Sequence, residues 1–98
     1  MSIIINKETI LNYLKEHKSE FEDKYQIEKI GLFGSYAKGR QTIDSDIDII
    51  VDMPASFKNY YALKNSLEAY FDKKVDLGMS DTIRAFVKKE IQKDVVYV

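Results

Sequence analysis

Gly34-Ser35-Tyr36-Ala37-Lys38-Gly39-Arg40-Gln41-Thr42-Ile43-Asp44-Ser45-Asp46-Ile47-Asp48 joins two features that inform only together. The stretch opens on a Gly-Ser turn, whose free backbone N–H groups suit an oxyanion. It closes on a strand with two acids on one face, a pattern that suits a hard divalent cation. A phosphate cradle followed by paired carboxylates points to nucleotide and metal chemistry.

Asp46 and Asp48 sit two apart, so their side chains point the same way with Cα atoms about 6.5–7 Å apart. Carboxylates this close raise each other's pKa unless a cation lies between them. Magnesium fits because it takes a few carboxylate oxygens and completes its shell with water and phosphate. Alternating acids also describe an ordinary solvent-facing strand side, so Asp-x-Asp alone decides nothing. The turn divides in the same way. Gly34 lets phosphate approach the backbone, and Ser35 can offer its hydroxyl at a helix start; equally, Gly and Ser can be a plain strand-to-helix turn and cap.

Three familiar loops are excluded. Gly34 to Gly39 has P-loop spacing, but Arg40-Gln41 stand where Lys-Ser/Thr is required. The Gly-x-Gly-x-x-Gly dinucleotide pattern is absent. Asp44, Asp46 and Asp48 mimic the start of a calcium loop, yet Ile49 and Ala55 occupy its obligatory Gly and Glu positions.

Working outward, Asn6 caps a helix whose apolar face runs Ile10, Leu14, Phe21 and Tyr25, widened by Leu11. Ile27 to Phe33 reads as a strand and Ser35 to Gly39 as a helical turn. Asp46 to Asp52 is a strand turning Ile47, Ile49 and Val51 to the core. Pro54 ends it, and Ser56 caps a helix carrying Phe57, Tyr60, Tyr61, Leu67 and Phe71 on a broad face. Lys73 to Met79 forms a third strand. Ser80 or Asp81 starts a last helix with Ile83, Phe86, Val87 and Ile91, and Val95 to Val98 a final strand. The expected class is α+β, an α/β layer with helices on one face of a sheet.

Asp76 lies in the third strand. Beside the Asp46–Asp48 strand it would complete a three-acid cluster able to hold two metals, or serve as general base; otherwise it is an exposed strand residue. Asp52 lies about 13 Å from Asp48 along the strand and reads as structural. His17 falls near an apolar helix stripe with no partner and is left out of the site. Tyr60 and Tyr61 read as core and rim.

Ninety-eight residues predict one domain spanning 1–98. With 45% hydrophobic and 32% charged residues, the composition is that of a globular protein rather than a disordered one. Fifteen Lys and Arg against sixteen Asp and Glu leave no basic footprint for a long nucleic acid. Without cysteine there is no disulfide framework, thiolate zinc site or cysteine nucleophile. Ile3–Ile5 is too short for a secretory signal, and no window reaches the apolar length of a membrane span. A cytoplasmic location without membrane contact is the expectation.

The whole pattern of Gly34-Ser35, Asp46-x-Asp48 and Ile49-Ile50-Val51 resembles the nucleotidyltransferase superfamily that includes DNA polymerase β. The short chain looks like its smallest branch, the minimal nucleotidyltransferase antitoxins encoded beside HEPN-domain toxins. The resemblance covers nearly the full length, and Asp76 falls where the family's third acid belongs. It implies the polymerase β-like fold, a short mixed sheet with helices on one face. It also implies that Gly34 and Ser35 hold the triphosphate of ATP and that Asp46, Asp48 and Asp76 bind Mg2+, in a two-metal site. Lys38 stands where the family commonly has Arg; it can meet a phosphate as a point charge but not as a bidentate fork. The implied activity is transfer of AMP from Mg-ATP to a tyrosine of a HEPN-type ribonuclease toxin. Two alternatives stay open: a non-catalytic antitoxin that masks its toxin by contact, and a small-molecule nucleotidyltransferase. Base preference, acceptor residue, number of nucleotides added, oligomeric state and activity without the partner are not legible in the sequence.

Overall fold

The computed structural model describes residues 5–79 and 95–98. The chain enters α1 (Lys7–Tyr25) through a reciprocal capping box: the Asn6 side chain accepts from the Thr9 N–H, and the Asn6 N–H donates to the Thr9 hydroxyl. Gln26, in the left-handed region, ends the helix. Next come β1 (Lys29–Phe33), the short helix α2 (Gly34–Lys38), β2 (Ile47–Asp52), α3 (Phe57–Phe71), β3 (Val75–Met79) and β4 (Val96–Tyr97). Ser56 caps α3, accepting from the Asn59 N–H as its sequence position predicts. The expected helix carrying Ile83, Phe86, Val87 and Ile91 lies outside the described residues.

The four described strands form one mixed sheet in the order β3-β2-β1-β4. β1 runs antiparallel to β2 and to β4, whereas β2 and β3 are parallel. α1 and α3 cover one face. Ile30, Leu32, Ile47, Ile49 and Val51 from the sheet meet Ile10, Leu14, Leu63 and Leu67 from the helices, all fully buried. Burial of such a side chain contributes about 1.5–3 kcal/mol, which makes this layer the main source of stability. At one end Tyr13 of α1 stacks on Tyr70 of α3, with ring centroids 3.8 Å apart, and meets Phe71 edge-on at 5.2 Å.

Two packing details differ from the expected faces. The buried stripe of α3 is Leu63, Leu67 and Phe71, while Phe57 is 84% exposed and Tyr61 52% exposed. Tyr61 precedes Leu63 by two positions, about 200° around the helix, so it cannot share that stripe. Ile50 is buried although it lies on the acid-bearing face of β2, so that face is not wholly solvated. Its cross-strand neighbours Gly31 and Gly78 present no side chain beside it.

Candidate active site

β1 hands the chain to α2 through Gly34, whose φ of +77° suits only glycine comfortably. A second constraint coincides with the first. A Cβ placed on Gly34 would overlap Oδ2 of Asp48 and lie 2.9 Å from its Cγ. The turn backbone therefore rests directly against the Asp48 carboxyl group. Ser35 is half-buried in the first turn of α2, and no side chain caps that turn. Gly39, with φ of +70°, closes α2; the Ser35 carbonyl accepts the Arg40 N–H at 2.9 Å. Lys38 is exposed in the last turn, about 6 Å along the axis from Gly34.

The sheet register assembles the acids. Phe33 on β1, Asp48 on β2 and Asp76 on β3 are direct neighbours across the three strands. Adjacent strands are about 4.8 Å apart, so Asp48 and Asp76 face each other at that spacing. Asp46 immediately precedes β2, on the same side as Asp48. Burial first, then repulsion from Asp76 and from Asp46, together raise the Asp48 carboxyl from 3.8 to about 6. Of the three acids that sequence singled out, Asp46 and Asp76 thus both bear on Asp48 in the folded chain. Lys74 approaches Asp46 at 3.9 Å, a long and exposed ion pair that neutralises little.

Among the described residues no three acidic or imidazole side chains converge tightly enough to form a ready-made ion cage. An all-oxygen set crowded with negative charge, open to solvent on the Asp76 side, nonetheless fits magnesium. That ion takes one or two carboxylates and fills its remaining positions with water and phosphate.

The remaining candidates fall where their bland readings put them. The His17 ring lies 4.3 Å from Tyr13, centroid to centroid, with Nδ1 3.1 Å from Glu20 on the surface. Asp52 ends β2, where its backbone carbonyl accepts the Glu28 N–H at 2.7 Å.

Two features beside the site were not legible in advance. Gln41, in the loop before Asp46, buries its side-chain oxygen with no partner among the described residues. Tyr60, read with Tyr61 as core and rim, packs partly buried against the core and also donates its hydroxyl to the Leu77 carbonyl at 2.6 Å, beside Asp76. It borders an apolar hollow of about 360 Å³ walled by Ser56, Phe57, Leu77 and Met79. The hollow flanks the acid row without including it; shape by itself would have drawn attention away from the carboxylates.

The nucleotidyltransferase domain family matches residues 14–98. A candidate protein adenylyltransferase of Methanocaldococcus jannaschii is 44% identical, covering 91% of this chain and 94% of that one. Protein adenylyltransferase MntA of Thermococcus cleftensis is 35% identical over 97% of this chain and 98% of its own. A crystal structure of a toxin–antitoxin with AMP-PNP superposes with a TM-score of 0.68 at 25% identity, covering 95% of this chain and 72% of that one.

Proposed function

Because this chain belongs to the nucleotidyltransferase domain family and is similar throughout to protein adenylyltransferases, we propose that it transfers AMP from ATP to a hydroxyl of a protein partner. The partner we propose is a HEPN-domain toxin, and the acceptor a tyrosine, so that the chain acts as antitoxin in the cytoplasm. We assign this work to a single minimal domain, residues 1–98.

The observation that carries the reading is the row Gly34, Asp48, Asp76. A glycine turn lies against one carboxyl group, and a second carboxyl group sits in register beside it. Gly34 and Ser35 present backbone N–H groups to the triphosphate, and Lys38 adds a positive charge. Asp46, Asp48 and Asp76 would hold Mg2+, which when bound neutralises phosphate charge and makes the acceptor hydroxyl more acidic. The acceptor oxygen attacks the α-phosphorus in line, the bond from that phosphorus to the bridging oxygen breaks, and pyrophosphate departs. Asp76, the most exposed of the three acids, takes the hydroxyl proton. Orientation and charge placement supply most of the acceleration, as in phosphoryl transfer generally.

The test is incubation of the chain with Mg-ATP and a HEPN-domain toxin from the same organism, followed by intact-mass measurement. Adenylate mass increments on the partner, lost on Mg2+ removal, are expected. A tight complex with no increment would overturn the enzymatic reading in favour of masking by contact.

A further inference from the structure

Asp76 occupies an awkward position. It is exposed and like-charged with the neighbour it faces, and among the described strands it lies at the edge of the sheet. A strand edge with unpaired backbone groups is free to fray or to pair elsewhere, and repulsion from Asp48 pushes β3 away from β2. On the inner side of β3, the Lys74 carbonyl accepts the Ile47 N–H at 3.0 Å. By the alternation of a strand, the backbones of Lys74, Asp76 and Gly78 then turn toward β2, and those of Val75 and Leu77 turn outward. Two of these outward groups, one on each residue, are taken by side chains of α3. The Val75 N–H donates to Glu68 Oε2 at 3.0 Å, and the Leu77 carbonyl accepts the Tyr60 hydroxyl at 2.6 Å.

We propose that Tyr60 and Glu68 are positioning residues for the transfer reaction: a two-point clamp from α3 onto the residues either side of Asp76, holding its carboxylate against Asp48. The inference rests on the role assigned to Asp76 above. α3 is suited to the task because Leu63, Leu67 and Phe71 lock it into the core between and beyond the two clamping side chains. Glu68 bonds Val75 at the start of β3 and Tyr60 bonds Leu77 two residues later, so the clamp brackets Asp76 and resists both sliding and lifting. Burial raises the Tyr60 hydroxyl pKa, with smaller contributions from Tyr61 and from Asp76. The hydroxyl therefore stays a donor, as the bond to Leu77 requires.

Tyr60→Phe, Glu68→Met, Glu68→Gln and Asp76→Asn are compared in the transfer assay and, without nucleotide, by amide hydrogen exchange of β3. Tyr60→Phe and Glu68→Met should each lower kcat about tenfold, leave the KM for ATP within about twofold, and raise the Mg2+ concentration needed for half-maximal rate. Exchange of the Asp76 and Gly78 amides should quicken while the melting temperature moves little. Glu68→Gln keeps an acceptor for the Val75 N–H and should restore most of the rate. If Asp76→Asn is inactive while Tyr60→Phe and Glu68→Met match the parent in kcat, Mg2+ requirement and exchange, the clamp is wrong and the site assignment survives. An active Asp76→Asn removes the site assignment and the clamp with it. Equal impairment of Glu68→Gln and Glu68→Met overturns the acceptor role of Glu68.

Discussion

Replacing Gly34 by alanine probes the contact on which the site depends, and Gly39 supplies an internal calibration. Both glycines have positive φ, +77° and +70°. An L-residue in the left-handed region costs about 1–2 kcal/mol. A Cβ on Gly39 would meet nothing within 4 Å, so Gly39→Ala should show that backbone cost alone. On Gly34 the same atom would overlap Oδ2 of Asp48, with Cγ at 2.9 Å and Cβ at 3.0 Å. The Asp48 side chain must leave its rotamer or the turn must shift, adding about 1–2 kcal/mol. Gly34→Ala should therefore destabilise the chain by about 2–4 kcal/mol, lowering Tm by roughly 10–20 °C in a domain of this size. Urea unfolding followed by circular dichroism measures both variants. In an Asp48→Ala background the excess over Gly39→Ala should shrink, because the clashing oxygen and Cγ are gone and only the Cβ at 3.0 Å remains. Equal costs for the two glycine substitutions, or an excess that Asp48→Ala leaves unchanged, would refute the close approach of turn and carboxylate.

Asp46→Asn and Asp48→Asn should each reduce adenylate transfer more than about 100-fold, measured by mass increment, with circular dichroism unchanged; near-normal transfer would exclude them from metal binding. The raised Asp48 pKa makes a signed prediction for the metal-free chain. Between 3.8 and about 6 the folded state keeps a proton that the unfolded chain has released. Stability from this group therefore falls as pH rises through that window and levels off above it. Asp48→Asn should flatten the slope, and saturating Mg2+ should offset it at pH 7, both read from urea midpoints. Leu63→Ala, at a fully buried position, should cost about 2–5 kcal/mol, whereas Tyr61→Ala, at an exposed one, should stay within about 0.5 kcal/mol. Comparable costs for the two would invert the assigned faces of α3.

Local chemistry was legible residue by residue. Asn6 and Ser56 announced helix starts because a cap depends on hydrogen bonds reaching only three positions ahead. The alternation through Ile47, Ile49 and Val51 announced a strand with one apolar face, because side chains two apart point the same way. Gly34 announced a special backbone, and the structure adds that a carboxyl group as well as the dihedral demands it. The face of α3 was harder to read: seven aromatic or leucine side chains crowd fifteen residues, and only contact with the sheet and with α1 selects Leu63 over Phe57 and Tyr61.

By itself the sequence determined the chemical vocabulary of this protein: a glycine turn, two acids on one strand side, a third acid in a later strand, and an α+β order of elements. Periodicity and capping act over a few residues, so a linear reading can recover them. Only the tertiary structure decided that Asp76 stands beside Asp48, that the Gly34 backbone touches the same carboxyl group, and that Tyr60 and Glu68 hold the strand edge between them. Those outcomes depend on strand order and register between segments nearly thirty residues apart, where a slip of one residue would turn every side chain to the opposite face.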